Sequence, residues 1–270
     1  MNVTSRIEQA FAMLASGAGF SERPDQVQLA MLISDCIGGG SSGAFEAPTG
    51  LGKSLATLIP AIAHAVEHKK RTVVATYTNV LAEQYWHNDL PLALSTFDFE
   101  DDLPRCQFLI GRQRYACLAA LEEASPSAGK IMADSAILGV ESEFRRIVPK
   151  SGRELSQLWQ ASAAPPVCPA RLCPHYDRCF YYKARRGAET ALIVITNHSV
   201  ILQDALLRQV SKGDLSLLGT YDHLILDEAH DFPQAALNAM EFELSRAKLN
   251  LIAGIAGRLE AAMMPVAQLA

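Results

Sequence analysis

The 270-residue chain is long enough for one large domain, or for one domain that carries an insertion. With 49% apolar and 20% charged residues it has an ordinary globular balance, able to bury a sizeable core. A formal net charge of −5 excludes a polycation, so any contact with a phosphate backbone must come from local basic patches.

No apolar run reaches the roughly 18 residues of a membrane span, and Met1-Asn2-Val3-Thr4-Ser5-Arg6 lacks the blocks of a signal peptide. A cytoplasmic protein with no membrane partner is the expectation. In that compartment the six cysteines are not read as a disulfide framework.

In chain order, residues 1–37 read as helical, with a break around Gly17 to Pro24. Gly38-Gly39-Gly40-Ser41-Ser42-Gly43 reads as a flexible link. A short strand is expected at Ala44 to Glu46, then a glycine-containing loop at Ala47 to Gly52 and a helix from about Lys53 to His68. Arg71 opens a strand at Thr72 to Thr76, rich in β-branched residues. Strand, loop, helix and strand at this spacing predict a βαβ unit and a parallel sheet. From about Gly111 to Gly187 the texture changes to cysteines, prolines and short helical segments, which reads as an insertion. Strands return at Ala191 to Thr196 and His223 to Leu226, and residues 236–270 are Ala/Leu-rich and helical.

Two motifs carry the chemistry. Glu46-Ala47-Pro48-Thr49-Gly50-Leu51-Gly52-Lys53-Ser54 lies between an expected strand and an expected helix, the context a phosphate-binding loop requires. Its N–H groups and the helix N-terminus can face phosphate oxygens. Gly50 and Gly52 allow close approach, Lys53 can reach the β- and γ-phosphates of ATP, and Ser54 can hold Mg2+. Downstream, the apolar run His223 to Leu226 ends in Asp227-Glu228-Ala229-His230. Carboxylates at the carboxyl end of a parallel strand face the ligand crevice. Asp227 is expected to hold magnesium, Glu228 to polarise the attacking water, and His230 to link the nucleotide to the nucleic-acid side.

With both motifs in one chain, the sequence resembles superfamily-two helicases of the XPD/DinG branch. The loop has Ala47 where the general phosphate-loop pattern has glycine, as in helicases of this kind. Arg23-Pro24-Asp25-Gln26 resembles the adenine-reading Q motif, with Gln26 as the reader. Thr76-Tyr77-Thr78-Asn79-Val80-Leu81-Ala82-Glu83-Gln84 resembles motif Ia, which contacts the nucleic-acid backbone; Thr76, Thr78, Asn79 and Gln84 are the candidates. Thr196-Asn197-His198 follows the third strand as in that branch.

Cys117, Cys168, Cys173 and Cys179 form a C-x50-C-x4-C-x5-C pattern. Four thiolates suit zinc or an iron–sulfur cubane equally well, and free thiols without metal are a third option. The resemblance implies a [4Fe-4S] cluster at this place in the chain. Cys36 and Cys106 fall outside the pattern, and His175 reads as a local hydrogen-bond partner. Around the last two cysteines, Arg178, Lys183, Arg185 and Arg186 alternate with Tyr176, Phe180, Tyr181 and Tyr182, a composition suited to single strands.

The expected fold is α/β: a RecA-like parallel sheet of the P-loop NTPase kind with flanking helices, interrupted by a mostly helical four-cysteine insertion. Residues 1–110 and 187–235 are assigned to the first motor domain, 111–186 to the iron–sulfur insertion, and 236–270 to the start of a helical arch. The resemblance implies an ATP-dependent 5′-to-3′ DNA helicase acting on single-stranded DNA or a forked duplex, in DNA repair or beside an RNA-guided CRISPR complex. A second motor domain is not recognised, so weak ATP binding and little hydrolysis are expected of these 270 residues alone. The alternatives are a nucleotide-gated single-strand binding module without unwinding, and a nuclease–helicase fusion, for which nothing nuclease-like precedes the Q motif.

Overall fold

The computed structural model describes residues 2–17, 23–99, 103–165 and 168–240. Helices α1 (Val3–Ser16) and α2 (Pro24–Gly39) lead into α3 (Lys53–His68). The chain continues through β1 (Thr72–Thr76) and α4 (Asn79–Gln84), then one π-helical turn at Tyr85–Asp89, and α5 (Leu90–Leu94). Strand β2 (Cys106–Phe108) precedes the insertion helices α6 (Leu118–Ala124), α7 (Pro126–Ser135), α8 (Glu141–Ile147) and α9 (Gly152–Ser162). Then come α10 (Phe180–Ala188), β3 (Ile193–Asn197), α11 (His198–Val210), β4 (His223–Leu226) and α12 (Phe232–Met240).

The four strands form one parallel sheet in the order β2-β3-β1-β4. Strands β1 and β3 are buried along their whole length, as expected for the middle of a parallel sheet covered on both faces. At their amino ends Arg71 ties the strands together: Nε donates to the Ala191 carbonyl at 2.8 Å and Nη2 to the Leu218 carbonyl at 3.0 Å. Asp222, just before β4, accepts from the Arg71 backbone N–H at 2.9 Å and from Lys70 Nζ at 2.8 Å.

Helix α3 is the centre of the packing. Every residue from Leu55 to Ala65 is buried, so the helix is enclosed on all sides rather than along one stripe. Helices α1 and α2 cover one side of it, with Ile7, Ala10, Phe11 and Leu14 of α1 inward. The insertion shares the same continuous apolar cluster, through Tyr115, Leu121, Phe144 and Phe180. Within it, the buried Glu143 carboxylate accepts from the N–H groups of Ile137, Leu138 and Gly139 at 2.9, 2.9 and 2.6 Å. That turn presses on Phe180: a Cβ on Gly139 would come within 2.1 Å of its ring.

Three sequence expectations change. Ala44 to Glu46 form no strand; residues 41–48 carry no ladder, and Phe45 is 41% exposed. Three residues, Ala44 to Glu46, are too few to hold a register without a neighbour, and the outer edge of β4 does not pair with them among the described residues. The glycine link is shorter than expected because α2 runs to Gly39 and closes at Gly40, φ +63°, where the Ser41 N–H bonds back to the Cys36 carbonyl. Strand β2 is an addition, and α10, which packs on it, crosses the expected domain boundary at 186/187. Of the helical stretch expected over 236–270, the part after residue 240 lies outside the described residues.

Because α3 is enclosed, truncating Leu58 leaves a cavity that the surroundings cannot close. Leu58→Ala is expected to cost about 2–5 kcal/mol in urea unfolding, and a loss below 1 kcal/mol would contradict this packing.

Candidate nucleotide site and cysteine cavity

The loop before α3 has the geometry its sequence implies. Gly50 and Gly52 both take positive φ, +83° and +88°, which lets the chain turn sharply into the helix. Two upstream side chains grip this turn. Arg23 Nη1 donates to the Gly50 carbonyl and Gln26 Nε2 to the Gly52 carbonyl, each at 2.8 Å. Gln26 is buried, and a Cβ on Gly52 would lie 2.2 Å from its amide nitrogen, so glycine is required there twice over. Ala47, Pro48, Thr49 and Leu51 complete the loop, which is largely exposed.

Strand β4 delivers Asp227 and Glu228 beside the amino end of α3. Lys53 Nζ and Glu228 Oε1 are 3.2 Å apart, which brings the two motifs into contact. Glu228 takes φ +53°, an uncommon conformation for a non-glycine residue and one that concentrates at functional sites. His230 is exposed, with Nδ1 3.4 Å from Glu228 Oε2. Asp227 is held from behind. Its N–H bonds to the Ala75 carbonyl at 2.8 Å, its carbonyl accepts from His198 Nε2 at 2.9 Å, and its Oδ2 accepts from the Tyr85 hydroxyl at 3.0 Å. Burial lowers the His198 pKa, which keeps the ring neutral; donating through Nε2 fixes the tautomer. Burial, then the Asp227 charge, pushes the Tyr85 phenol well above its ordinary range, so its proton stays in place to donate.

Ser54 stands within hydrogen-bonding reach of Asp89 on the π-helical turn; burial raises the Asp89 pKa while this contact lowers it. Neither Tyr85 nor Asp89 was expected at the site. Both follow motif Ia in the sequence, but Glu83, Gln84, His87 and Asn88 around them are polar too, so no local signal marks them out.

Cys117, Cys168, Cys173 and Cys179 line one cavity, walled by Tyr176, Tyr181 and Tyr182. Burial raises the Cys179 pKa, and the nearness of Cys117 and Cys168 adds to it. His175 Nε2 pairs with Glu122 Oε2 at 3.3 Å, the local partnership expected of it. Among the described residues no group of three or more His, Cys, Asp or Glu side chains is arranged to hold a metal ion.

The expected nucleic-acid residues are not all at the surface. Thr76 is 1% exposed at the end of β1, and its side chain makes no surface contact. Thr78 caps α4, accepting from the Leu81 N–H at 3.1 Å, and Asn79 Oδ1 accepts from Asn197 Nδ2 at 2.6 Å. Gln84 and Lys183 are exposed. Arg178 lies 3.7 Å from Glu122, Arg185 donates to the Ser216 carbonyl at 3.1 Å, and Arg186 sits over the Tyr176 ring at 5.1 Å. Phe180 is a core residue, so among the interleaved aromatics it offers no stacking face.

Cys106 lies apart from the cavity, its thiol pushed by burial up to about 12. At pH 8 only about one thiol in 10⁴ would then be ionised. Cys106 should therefore resist alkylation in the folded chain and react on unfolding; modification of the native chain within minutes, seen by peptide mass spectrometry, would contradict its placement.

The DEAD_2 family matches residues 170–249, a span that includes Cys173, Cys179 and the acidic tetrad. The chain is 31% identical over 242 residues to the ATP-dependent DNA helicase YoaA of Escherichia coli (strain K12), covering 86% of this chain and 36% of that protein. With YoaA of Haemophilus influenzae the identity is 29%, over 81% of this chain and 34% of that protein. With the ATP-dependent DNA helicase DinG of Escherichia coli (strain K12) it is 30%, over 82% and 33%. The chain thus spans about a third of the length of the curated relatives it matches. The family match, these identities and the parallel sheet together support a portion of a DinG-like superfamily-two helicase.

Proposed function

We propose that this chain forms the first ATP-binding motor portion of a DNA helicase. The observation that carries the proposal is the meeting of Lys53 with Glu228, which joins the phosphate loop and the acidic tetrad at one crevice. In this reading residues 1–110 and 187–235 would be the motor and 111–186 the cysteine-bearing insertion; of the arch assigned to 236–270, the part after residue 240 lies outside the described residues.

In this reading the loop N–H groups from Ala47 to Ser54 and the amino end of α3 receive the phosphates. Lys53 leaves Glu228 for the β- and γ-phosphates, which frees the Glu228 carboxylate to polarise the attacking water. Arg23 and Gln26, with Gln26 as the adenine reader, also brace the loop through the Gly50 and Gly52 carbonyls. Mg2+ would be held by Ser54 and Asp227. The oxygen donors fit it, and a cation that takes only one or two protein ligands, with phosphates and water for the rest, needs no dense carboxylate group. His230, exposed beside Glu228, would relay the nucleotide state.

The cysteine cavity would hold a [4Fe-4S] cluster through Cys117, Cys168, Cys173 and Cys179. The donor set fits: four soft sulfur ligands surround one space, and in a cubane each thiolate binds its own iron, so the four need not converge on one point as they must around zinc. When bound, the cluster would supply a rigid cross-link. The chain's own contribution is to bring α6, the Cys168–Cys179 segment and α10 together around it.

Single-stranded DNA or a forked duplex is the proposed partner, met by Thr78, Asn79 and Gln84 and by Lys183, Arg178 and Arg186. DNA rather than RNA follows the names of the relatives. Movement 5′-to-3′, and work in DNA repair or beside a CRISPR complex, are parts of the proposal that rest on family resemblance alone.

Lys53→Ala should abolish ATP binding while leaving the thermal unfolding midpoint within a few degrees, read by calorimetric titration and circular dichroism. Unchanged affinity would sink the assignment of the loop. Iron, sulfide and zinc analysis of anaerobically purified protein should find about four irons per chain, and Cys173→Ser should lose them. Equal metal content in that variant would remove Cys173 from the ligand set.

A further inference from the structure

Between α4 and α5 the helix changes to a single π turn, Tyr85–Asp89. Such turns are rare and concentrate at functional sites, because the extra residue per turn redirects side chains. Here the turn faces the amino end of α3 and the carboxyl end of β4. Its first and last residues stand by the two side chains assigned to magnesium: the Tyr85 hydroxyl donates to Asp227 Oδ2 at 3.0 Å, and Asp89 lies next to Ser54.

A hydroxyl that ligates a cation presents a lone pair, so its hydrogen must point away to an acceptor. Asp89, next to Ser54, is placed to be that acceptor when the hydroxyl turns to the cation. Tyr85 performs the complementary task for Asp227: it occupies Oδ2 and leaves Oδ1 for another contact. A further atom is unexplained by the protein alone. Asp89 Oδ2 is shut off from solvent and has no hydrogen-bond partner. Leaving a buried polar atom unpaired is costly, and more so when it is charged. The missing partner must be a donor, and a water on the metal is a donor of the right kind.

We propose that the π turn is the outer shell of the magnesium site: Asp89 orients Ser54 and accepts at Oδ2 from a metal-bound water, while Tyr85 orients Asp227. This assignment rests on the nucleotide-site reading above. It makes Tyr85 and Asp89 positioning residues, acting through the ligands. Partners behind a ligand fix its orientation and basicity, and their loss commonly lowers metal affinity 10- to 100-fold.

The test uses the full chain and a non-hydrolysable ATP analogue, titrated calorimetrically once with magnesium chloride and once with EDTA. The ratio of the two dissociation constants is the metal enhancement. Asp89→Asn, whose amide can turn the Ser54 hydrogen back toward the cation, should reduce that ratio at least about 10-fold and leave the EDTA value unchanged. Tyr85→Phe should reduce it by a smaller factor, and Mn2+ titrations followed by electron paramagnetic resonance should show the same order. The proposal is overturned if both variants keep the full ratio, or if affinity falls equally with and without metal, the sign of a purely structural role. If the unaltered chain and Lys53→Ala bind the analogue equally with EDTA, the nucleotide-site reading itself is wrong, and the outer-shell assignment falls with it.

Discussion

The enclosure of α3 is the constraint on which the rest of the structure depends. A helix with one apolar stripe can tilt or slide on its neighbours; a helix buried on every side cannot. Its first residues, Lys53 and Ser54, are therefore fixed relative to β1 and β4, and the crevice at the carboxyl ends of those strands is fixed with them. Arg71 and Asp222 secure the opposite end of the sheet by gathering the starts of β1, β3 and β4. The sheet is locked at one end by hydrogen bonds and presents its chemistry at the other.

The insertion is no loosely tethered appendage. Its apolar side chains run without a break into the core of the sheet, and α10 packs directly on β2. A Cβ on Gly187 would come within 2.1 Å of the Gln107 side chain, so helix and strand are in close contact. A change of shape around the four cysteines must therefore be felt at β2 and β3, and the reverse holds as well.

Local features were readable in the sequence. The glycines of the phosphate loop, the β-branched run of β1, the acidic tetrad after an apolar tetrapeptide and the spacing of Cys168, Cys173 and Cys179 each carry their meaning within a dozen residues or so. What failed depends on neighbours far along the chain. Ala44–Glu46 lacks a ladder because a strand needs a partner, and no local pattern supplies one. Strand β2 was overlooked because three residues are too short for alternation to show, and Thr76 and Phe180 matched surface motifs while tertiary packing buried them. Tyr85 and Asp89 acquire their role only when a π turn directs them at residues from two other elements, which single-sequence patterning cannot reveal.

The contact between Lys53 and Glu228 also shapes how the site meets its ligand. Each side chain is about a third exposed, so ions in solution screen their attraction. A polyphosphate has to displace this internal competitor before it engages Lys53. Rising ionic strength weakens the ligand's pull on the lysine and the carboxylate's hold on it together, and the two losses partly cancel. The crevice is thereby buffered, and its occupancy follows the salt content of its surroundings less steeply than the bare charge of the ligand would suggest.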